Sequence, residues 1–411
     1  MSLRECILGI VLAGGEGTRL NPLTAERSKP AVPFGGRYRI VDFVLSNFLN
    51  SNIYSIYVLV QYKSQSLIEH IRDAWMPGPT IPSHFITVVP PQMIEGPEWF
   101  QGTADAVYQN LGLIEANGPE LVAVFGADHV YRMDVRQMID FHNERHADVT
   151  VAALPVPRAE ASAFGIIDCD PHGRIQGFLE KPANPPAMPN DSSRAYASMG
   201  NYLFRTGTLI DALLEAKDRR GTDFGRDVLP RLIKSRRVFA YDFGGNECPG
   251  LHDYEEPGYW RDVGTIDAYF DSTMDTLGNQ PRFDLLNRRW PIRSSNYQGP
   301  PASVGRAQIE SSDIGAGILI RDATIRNSVI RSEVVLEEGV IIEDSIIMDS
   351  CIIGRGAHIR RAIIDRHNAL APGTRIGFDA EDDRACCTVT ASGIAVMPLA
   401  PLEQRRHRFG S

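Results

Sequence analysis

The segment LAGGEGTRL at 12–20 sets three glycines beside Thr18 and Arg19. Glycine lets the backbone approach a phosphate or a base closely, and amides exposed at such a turn bind anions. Two familiar phosphate motifs do not fit. A dinucleotide fingerprint needs a further glycine three residues after Gly17, where Leu20 stands, and a P-loop needs Gly-Lys followed by Ser or Thr. SKP follows at 28–30, so Arg19 and Lys29 can converge from one long loop onto the same phosphates. Breaking the α–β bond of a triphosphate adds charge to the leaving pyrophosphate, which fixed cations and amides stabilise. Further along, GADHVYRMD at 126–134 places Asp128 just past an apolar run, where a carboxylate can hold magnesium against phosphate oxygens. Each also has a plainer alternative, as a turn glycine, a surface lysine or a capping aspartate, and it is their occurrence together that favours the chemistry. His129 invites a zinc reading, but no second His or Cys stands at ligand spacing, which predicts a hydrogen-bonding role.

Such residues need a scaffold that brings loops to one edge. Apolar runs at 7–12, 55–60, 85–89, 121–125 and 149–154 read as strands, separated by stretches of helical period at 103–115 and 134–146. That alternation predicts an α/β domain with a Rossmann-like, mostly parallel mixed sheet whose ligands sit beyond the strand ends. The stretch 281–308 loses periodicity and reads as a linker. After it, Val329, Val335, Ile341, Ile347, Ile353 and Ile359 recur every six residues, with Val334, Val340, Ile346 and Ile352 beside four of them. A six-residue aliphatic repeat is what a parallel β-helix requires, because each coil stacks an apolar side chain on the next.

The bulk properties exclude several classes. With 411 residues, 43% hydrophobic and a net charge of −9, the chain has core enough for two domains and no basic surplus for nucleic acid or anionic membrane. Cys6, Cys169, Cys248, Cys351, Cys386 and Cys387 show no CxxC spacing and read as reduced thiols. The apolar run near the N-terminus is too short for a signal segment or a membrane span, so a cytoplasmic protein is expected.

The first loop followed by Lys-Pro resembles the sugar-nucleotide pyrophosphorylase superfamily. Four further stretches, WFQGTADAVYQN (99–110), FGIIDCD (164–170), FLEKPANPPAMPND (178–191) and YASMGNYLF (196–204), resemble those of the bacterial ADP-glucose pyrophosphorylases. The resemblance implies a nucleotidyltransferase domain over 1–280, a linker over 281–308 and a left-handed parallel β-helix over 309–411 that includes a C-terminal tail. It implies formation of ADP-glucose and pyrophosphate from ATP and glucose 1-phosphate, feeding glycogen or α-glucan synthesis. It assigns catalysis to Arg19, Lys29 and Asp128, with Mg2+ held by Asp128 and Asp262. Leu12, Ala13, Gly14, Gly15, Gly17, Thr18, Gln61, Gly102, Thr103, Ala104 and Asp105 would meet the nucleotide. Phe100, Gly165, Glu180, Lys181 and Ser198 would meet glucose 1-phosphate, and a lone ammonium such as Lys181 can neutralise a phosphate monoester. One in-line displacement by the sugar phosphate would need neither a protein nucleophile nor a general base.

The resemblance also implies a homotetramer regulated by sugar phosphates or pyruvate and by AMP, at a site between the domains that includes Arg27 and Arg39. Here the chain departs from the pattern. Glu26 stands in place of a lysine, Pro33 of a histidine, and Glu115–Ala116 of an arginine pair, which predicts a weaker response to fructose 1,6-bisphosphate. Glu16, Phe100, Ala127 and Asn201 depart nearer the chemistry. Three other readings compete: a pyrophosphorylase for another base or sugar, a non-catalytic regulatory subunit, and a β-helix acyltransferase. The second is disfavoured by the presence of Lys29, Asp128, Lys181 and Asp262. The third would need a catalytic histidine beyond His358 and His367, both expected at coil corners.

Overall fold

The computed structural model describes residues 6–75, 84–92 and 98–401. Met1 to Glu5, part of the N-terminal segment read above, and the end of the tail after 401 lie outside the described residues.

The expected strands form, as Ile7–Ala13, Ser55–Val60, Phe85–Val89, Leu121–Gly126 and Val149–Pro157. Ile7–Ala13 lies between Ser55–Val60 and Leu121–Gly126, parallel to both. The long Arg194–Arg205 strand then joins Leu121–Gly126, Val149–Pro157 and Gly165–Cys169 in antiparallel pairs, giving a mixed nine-stranded sheet. Alternate side chains of each strand serve opposite layers, as a buried sheet demands. Val11, Ala123 and Phe125 pack on one face with Phe48, while Ile10, Val122 and Val124 pack on the other with Val107.

The helical stretch 134–146 forms as Val135–Glu144, capped by the Asp134 side chain, which accepts from the Arg136 amide. The stretch 103–115 instead breaks into Thr103–Tyr108 and Leu111–Asn117. At the break, Asn110 turns its Nδ2 back onto the Ala106 carbonyl, at 2.8 Å. No described helix is long and apolar enough to cross a membrane. All six cysteines are unbridged.

The second domain is built of parallel strand ladders, consistent with a left-handed β-helix, but its coils do not keep a strict period of six. Ile330 pairs with Ile347 and Ile347 with Ile364, so these coils are 17 residues long, whereas Ile314 pairs with Ile330 across a coil of 16. Each 17-residue coil thus has one five-residue step, and the buried set shifts accordingly. Leu336 and Ile342 point inward, whereas Val335 and Ile341, expected in the core, are only partly buried. The aliphatic pairs have a further use. Ile330, Ile347 and Ile364 fill the coil interior, while Val329, Ile346 and Ile363, one position earlier, pack on the first domain beside Phe34, Tyr269 and Phe270.

The stretch expected to be a linker is tightly held. Phe283, Trp290 and Ile292 are buried, the Arg293 amide donates to Ser46 Oγ at 2.8 Å, and the strand Ser303–Glu310 begins inside it. His367 lies at a coil corner with φ +63°. His358, expected at another corner, opens the strand His358–Arg360 and faces Glu343 at 3.3 Å.

Candidate active site

The Ile7–Ala13 strand ends in the glycine loop at the carboxyl edge of the sheet. Gly17 is the turning point. Its φ is +68°, and a Cβ there would stand 3.0 Å from Lys29 Cβ, so the loop closes on Lys29 only with glycine in place. Thr24 Oγ1 fixes the turn by donating to the Gly17 carbonyl at 2.9 Å. Lys29 opens a short buried turn, Lys29–Ala31, and is 7% exposed.

Asp128 occupies the turn between Leu121–Gly126 and the short strand His129–Tyr131. Asp262 comes to it through an antiparallel ladder, in which Trp260–Asp262 pairs with His129–Tyr131 and Asp262 lies opposite His129. Lys29 Nζ lies between the two carboxylates, 2.8 Å from Asp262 Oδ1 and 3.1 Å from Asp128 Oδ2. Burial alone would lower the Lys29 ammonium, but the charges of Asp128 and Asp262 outweigh it and raise the group above its ordinary value. Burial would likewise raise the Asp128 carboxyl, yet His129 and Lys29 hold it well below the usual carboxylate range. Arg19 reaches the same place: a Cβ on Gly264 would meet its guanidinium at 3.1 Å and Asp262 Oδ1 at 3.0 Å.

One ligand atom each from Asp128, His129 and Asp262 falls within 4.8 Å of the others. Two carboxylates at a phosphate-binding edge fit a hard divalent ion that takes oxygen ligands. The His129 ring packs against Trp260, with centroids 4.7 Å apart, and its Nδ1 is 3.4 Å from Asp128 Oδ1.

Around this centre lies a cleft of about 820 Å³, within the range of small-molecule sites (~300–1,000 Å³). The glycine loop, Arg19, Lys29 and Asp128 line one part; Gly165, Glu180 and Ser198 line another; Phe100, Gly102 and Thr103 lie along its edge. Gln61 clamps that edge, donating to the Phe100 carbonyl at 3.2 Å and accepting from its amide at 2.6 Å. Gly102 lies so close to Thr222 that a Cβ would stand 2.4 Å from its carbonyl oxygen. Gly165 likewise leaves room for Phe178, whose ring a Cβ would meet at 2.8 Å.

Three residues expected to meet substrate stand apart from the cleft wall. Ala104 is 1% exposed and Asp105 7%, and the Asp105 carboxylate is taken up by the Gln101 amide and the Gln109 side chain. Lys181 is solvent-exposed, 3.8 Å from Glu180, and does not line the cleft. Arg27, expected at the regulatory site, is fully buried and paired through one nitrogen with both oxygens of Asp365 at 2.8 Å. Conversely, Phe178, Tyr202, Asp223, Gly225 and Arg226 line the cleft without having been expected there. The TDFGRD run at 222–227 carried one signal, a glycine between charged residues. It is joined to the site only through contacts such as Thr103 Oγ1 to Asp223 Oδ2 at 3.0 Å.

A second cavity, of about 1200 Å³, opens between the domains and is lined by Arg37, Arg39, His70, Arg331, Asp349 and Arg366, among others. Burial, then the neighbouring Arg331 charge, lowers Arg39 to about 10. Burial, then the Arg27 charge, lowers Arg366 to about 10. These guanidinium groups crowd one another.

Comparison with known proteins agrees with this architecture. The nucleotidyl transferase family model matches residues 8–279, and the GlmU-like C-terminal hexapeptide model matches 301–397. The chain is 56% identical to the glucose-1-phosphate adenylyltransferase of Thermodesulfovibrio yellowstonii, over 96% of each chain. It is 49% identical to that of an Anaeromyxobacter species, covering 96% of this chain and 98% of the relative. The Thermus thermophilus enzyme of the same name is 48% identical, covering 95% and 98%.

Proposed function

The chain belongs to the glucose-1-phosphate adenylyltransferase family of nucleotidyltransferases, and from that premise we propose that its cleft joins ATP to glucose 1-phosphate, forming ADP-glucose and releasing pyrophosphate. The observation that carries this reading is the Lys29 ammonium held between Asp128 and Asp262 where the glycine loop meets the Glu180–Ser198 wall.

A phosphate oxygen of the sugar phosphate attacks the α-phosphorus, and pyrophosphate departs on the opposite side. The monoester is already anionic near neutral pH, so the protein's work is orientation and charge stabilisation. The amides of the glycine loop, Arg19 and Lys29 face the triphosphate. Glu180 and Ser198 orient the sugar, and Lys181, exposed beside Glu180 and outside the cleft lining, would have to swing inward to meet its phosphate. Mg2+ held by Asp128 and Asp262 would neutralise phosphate oxygens.

We read the interdomain cavity as the site of anionic effectors, sugar phosphates or pyruvate and AMP. Its crowded arginines support this, since an anion relieves their mutual repulsion. The assembly we propose is a homotetramer, checked by light scattering.

The deciding experiment follows pyrophosphate release from glucose 1-phosphate with ATP, UTP, CTP, GTP or dTTP, with Asp128→Asn as control. ATP-selective release abolished in that variant supports the reading. Release with UTP or dTTP instead moves the substrate assignment, and no release from folded protein points to a regulatory subunit.

A further inference from the structure

Asn201 is fully buried and sits at a defect in the sheet. Along Arg194–Arg205, Ser198 pairs with Ala153 and Tyr202 with Val151, so Met199, Gly200 and Asn201 together oppose Ala152 alone. A bulge of this kind interrupts the ladder and re-aims side chains, and Gly200, at φ +69°, makes the turn. On the other side of the same strand, pairing with Leu121–Gly126 starts only at Tyr202 and Val124.

The consequence falls on Gly126, which lies just beyond that pairing. The Ala127 amide donates across the sheet to the Leu12 carbonyl at 3.1 Å. Successive amides of a strand point to opposite sides, so the Gly126 amide points toward the bulge. Asn201 Oδ1 accepts it there at 3.3 Å, and Asn201 Nδ2 donates to Tyr131 Oη at 3.1 Å. Gly126 and Tyr131 flank the turn that carries Asp128 and His129. One side-chain amide therefore spans that turn and ties it to the strand bearing Ser198. Asn47 holds the far end independently, donating to the Tyr131 carbonyl at 3.3 Å and accepting from the Met133 amide at 3.0 Å.

We propose that Asn201 is a positioning residue for Asp128, fixing the carboxylate where it can share a divalent ion with Asp262. The proposal rests on the reading of those two aspartates as metal ligands. An aliphatic side chain at 201 would take the protein partner from the half-buried Gly126 amide and one of the partners of the buried Tyr131 phenol, and the turn between them would lose its tie to the sheet.

The test is a Mn2+ titration followed by electron paramagnetic resonance, on full-length wild type, Asn201→Leu, Tyr131→Phe and Asp128→Asn. Loss of a partner behind a metal ligand commonly weakens affinity by ~10–100-fold, so the Mn2+ dissociation constant should rise on the order of ten-fold in Asn201→Leu and by less in Tyr131→Phe. Affinity for ADP-glucose, measured with a chelator present, should stay within about two-fold of wild type, because a general collapse of the site would weaken both. Unchanged Mn2+ binding in both folded variants overturns the proposal, as does parallel loss of ADP-glucose binding. If Asn201→Leu does not fold, Tyr131→Phe decides alone. A wild type without a site that Asp128→Asn removes overturns the metal reading, and this proposal with it.

Discussion

Arg27 and Asp365 lie in different domains and meet in an ion pair at 2.8 Å, with side chains 1% and 0% exposed. Arg27 is two residues before Lys29, so the pair anchors the catalytic loop to the β-helix. Arg331 reinforces the anchor from the same side, donating to the carbonyls of Phe34, Gly35 and Tyr38.

Breaking that pair should be costly and replacing it cheap. Asp365→Asn, which strands a buried guanidinium, should destabilise the protein by ~3–5 kcal/mol, whereas Arg27→Met with Asp365→Leu should recover most of the loss. Urea unfolding of the single and double variants checks both, and equal losses would show that the charges contribute more than packing can replace.

Gly102→Ala should cripple turnover while sparing the fold. Its φ of 171° suits any residue, so the obstacle is the Thr222 carbonyl at 2.4 Å from the new Cβ. The edge carrying Phe100 and Thr103 must move away from Asp223, and kcat/KM should fall by about 100-fold, as misplacement by an ångström does elsewhere. Steady-state kinetics beside a circular dichroism melt separates the two effects.

Acid should destabilise the protein partly through His142. Burial, then the charge of Arg205, lowers its imidazole to about 4, and its Nδ1 is 2.8 Å from Thr150 Oγ1. The unfolded chain takes up the proton first, so this contribution is present above the unfolded value and is lost as pH falls from about 6.5 toward the folded value. His142→Gln should flatten that limb, removing on the order of 2–3 kcal/mol of pH dependence in urea unfolding between about pH 7 and 4.

Glu26→Lys should strengthen the response to anionic effectors. Glu26 is exposed and stands next in the chain to Arg27, whose charge acts on Arg39 and Arg366. Arg366→Ala should act in the opposite direction, raising half-saturation by about ten-fold through loss of a charged hydrogen bond. Titration with fructose 1,6-bisphosphate, pyruvate and AMP measures both, and a Glu26→Lys protein that responds like wild type removes the charge argument.

Much of the site could be read from the sequence because its loops directly follow apolar strands. The glycine loop, Lys29 and Asp128 could be singled out by residue type and position, and the structure brings them to one cleft. Asp262 needed the resemblance, since only the ladder between His129–Tyr131 and Trp260–Asp262 makes it a neighbour of Asp128. The burial of Arg27 could not be read locally, because its partner Asp365 lies 338 positions away in the chain. The partner of Asp105 was equally hidden, its carboxylate accepting from the backbone of its own loop. In the β-helix the repeat was visible, but six-residue counting missed the short step that makes the coils from Ile330 to Ile364 17 residues long. Side-chain type does not reveal such a step, because Val335 and Leu336 suit the interior equally well.

The stripe formed by Val329, Ile346 and Ile363 has a consequence for synthesis. The first domain leaves the ribosome with the cluster around Phe34, Tyr269 and Phe270 lacking the aliphatic stripe that completes it. That surface exists only after successive coils have been made, because each supplies one aliphatic residue of the stripe. The nascent chain therefore passes through an interval in which its catalytic half is sticky, and a stall or truncation before the third of these coils should yield a product that chaperones bind and proteases clear.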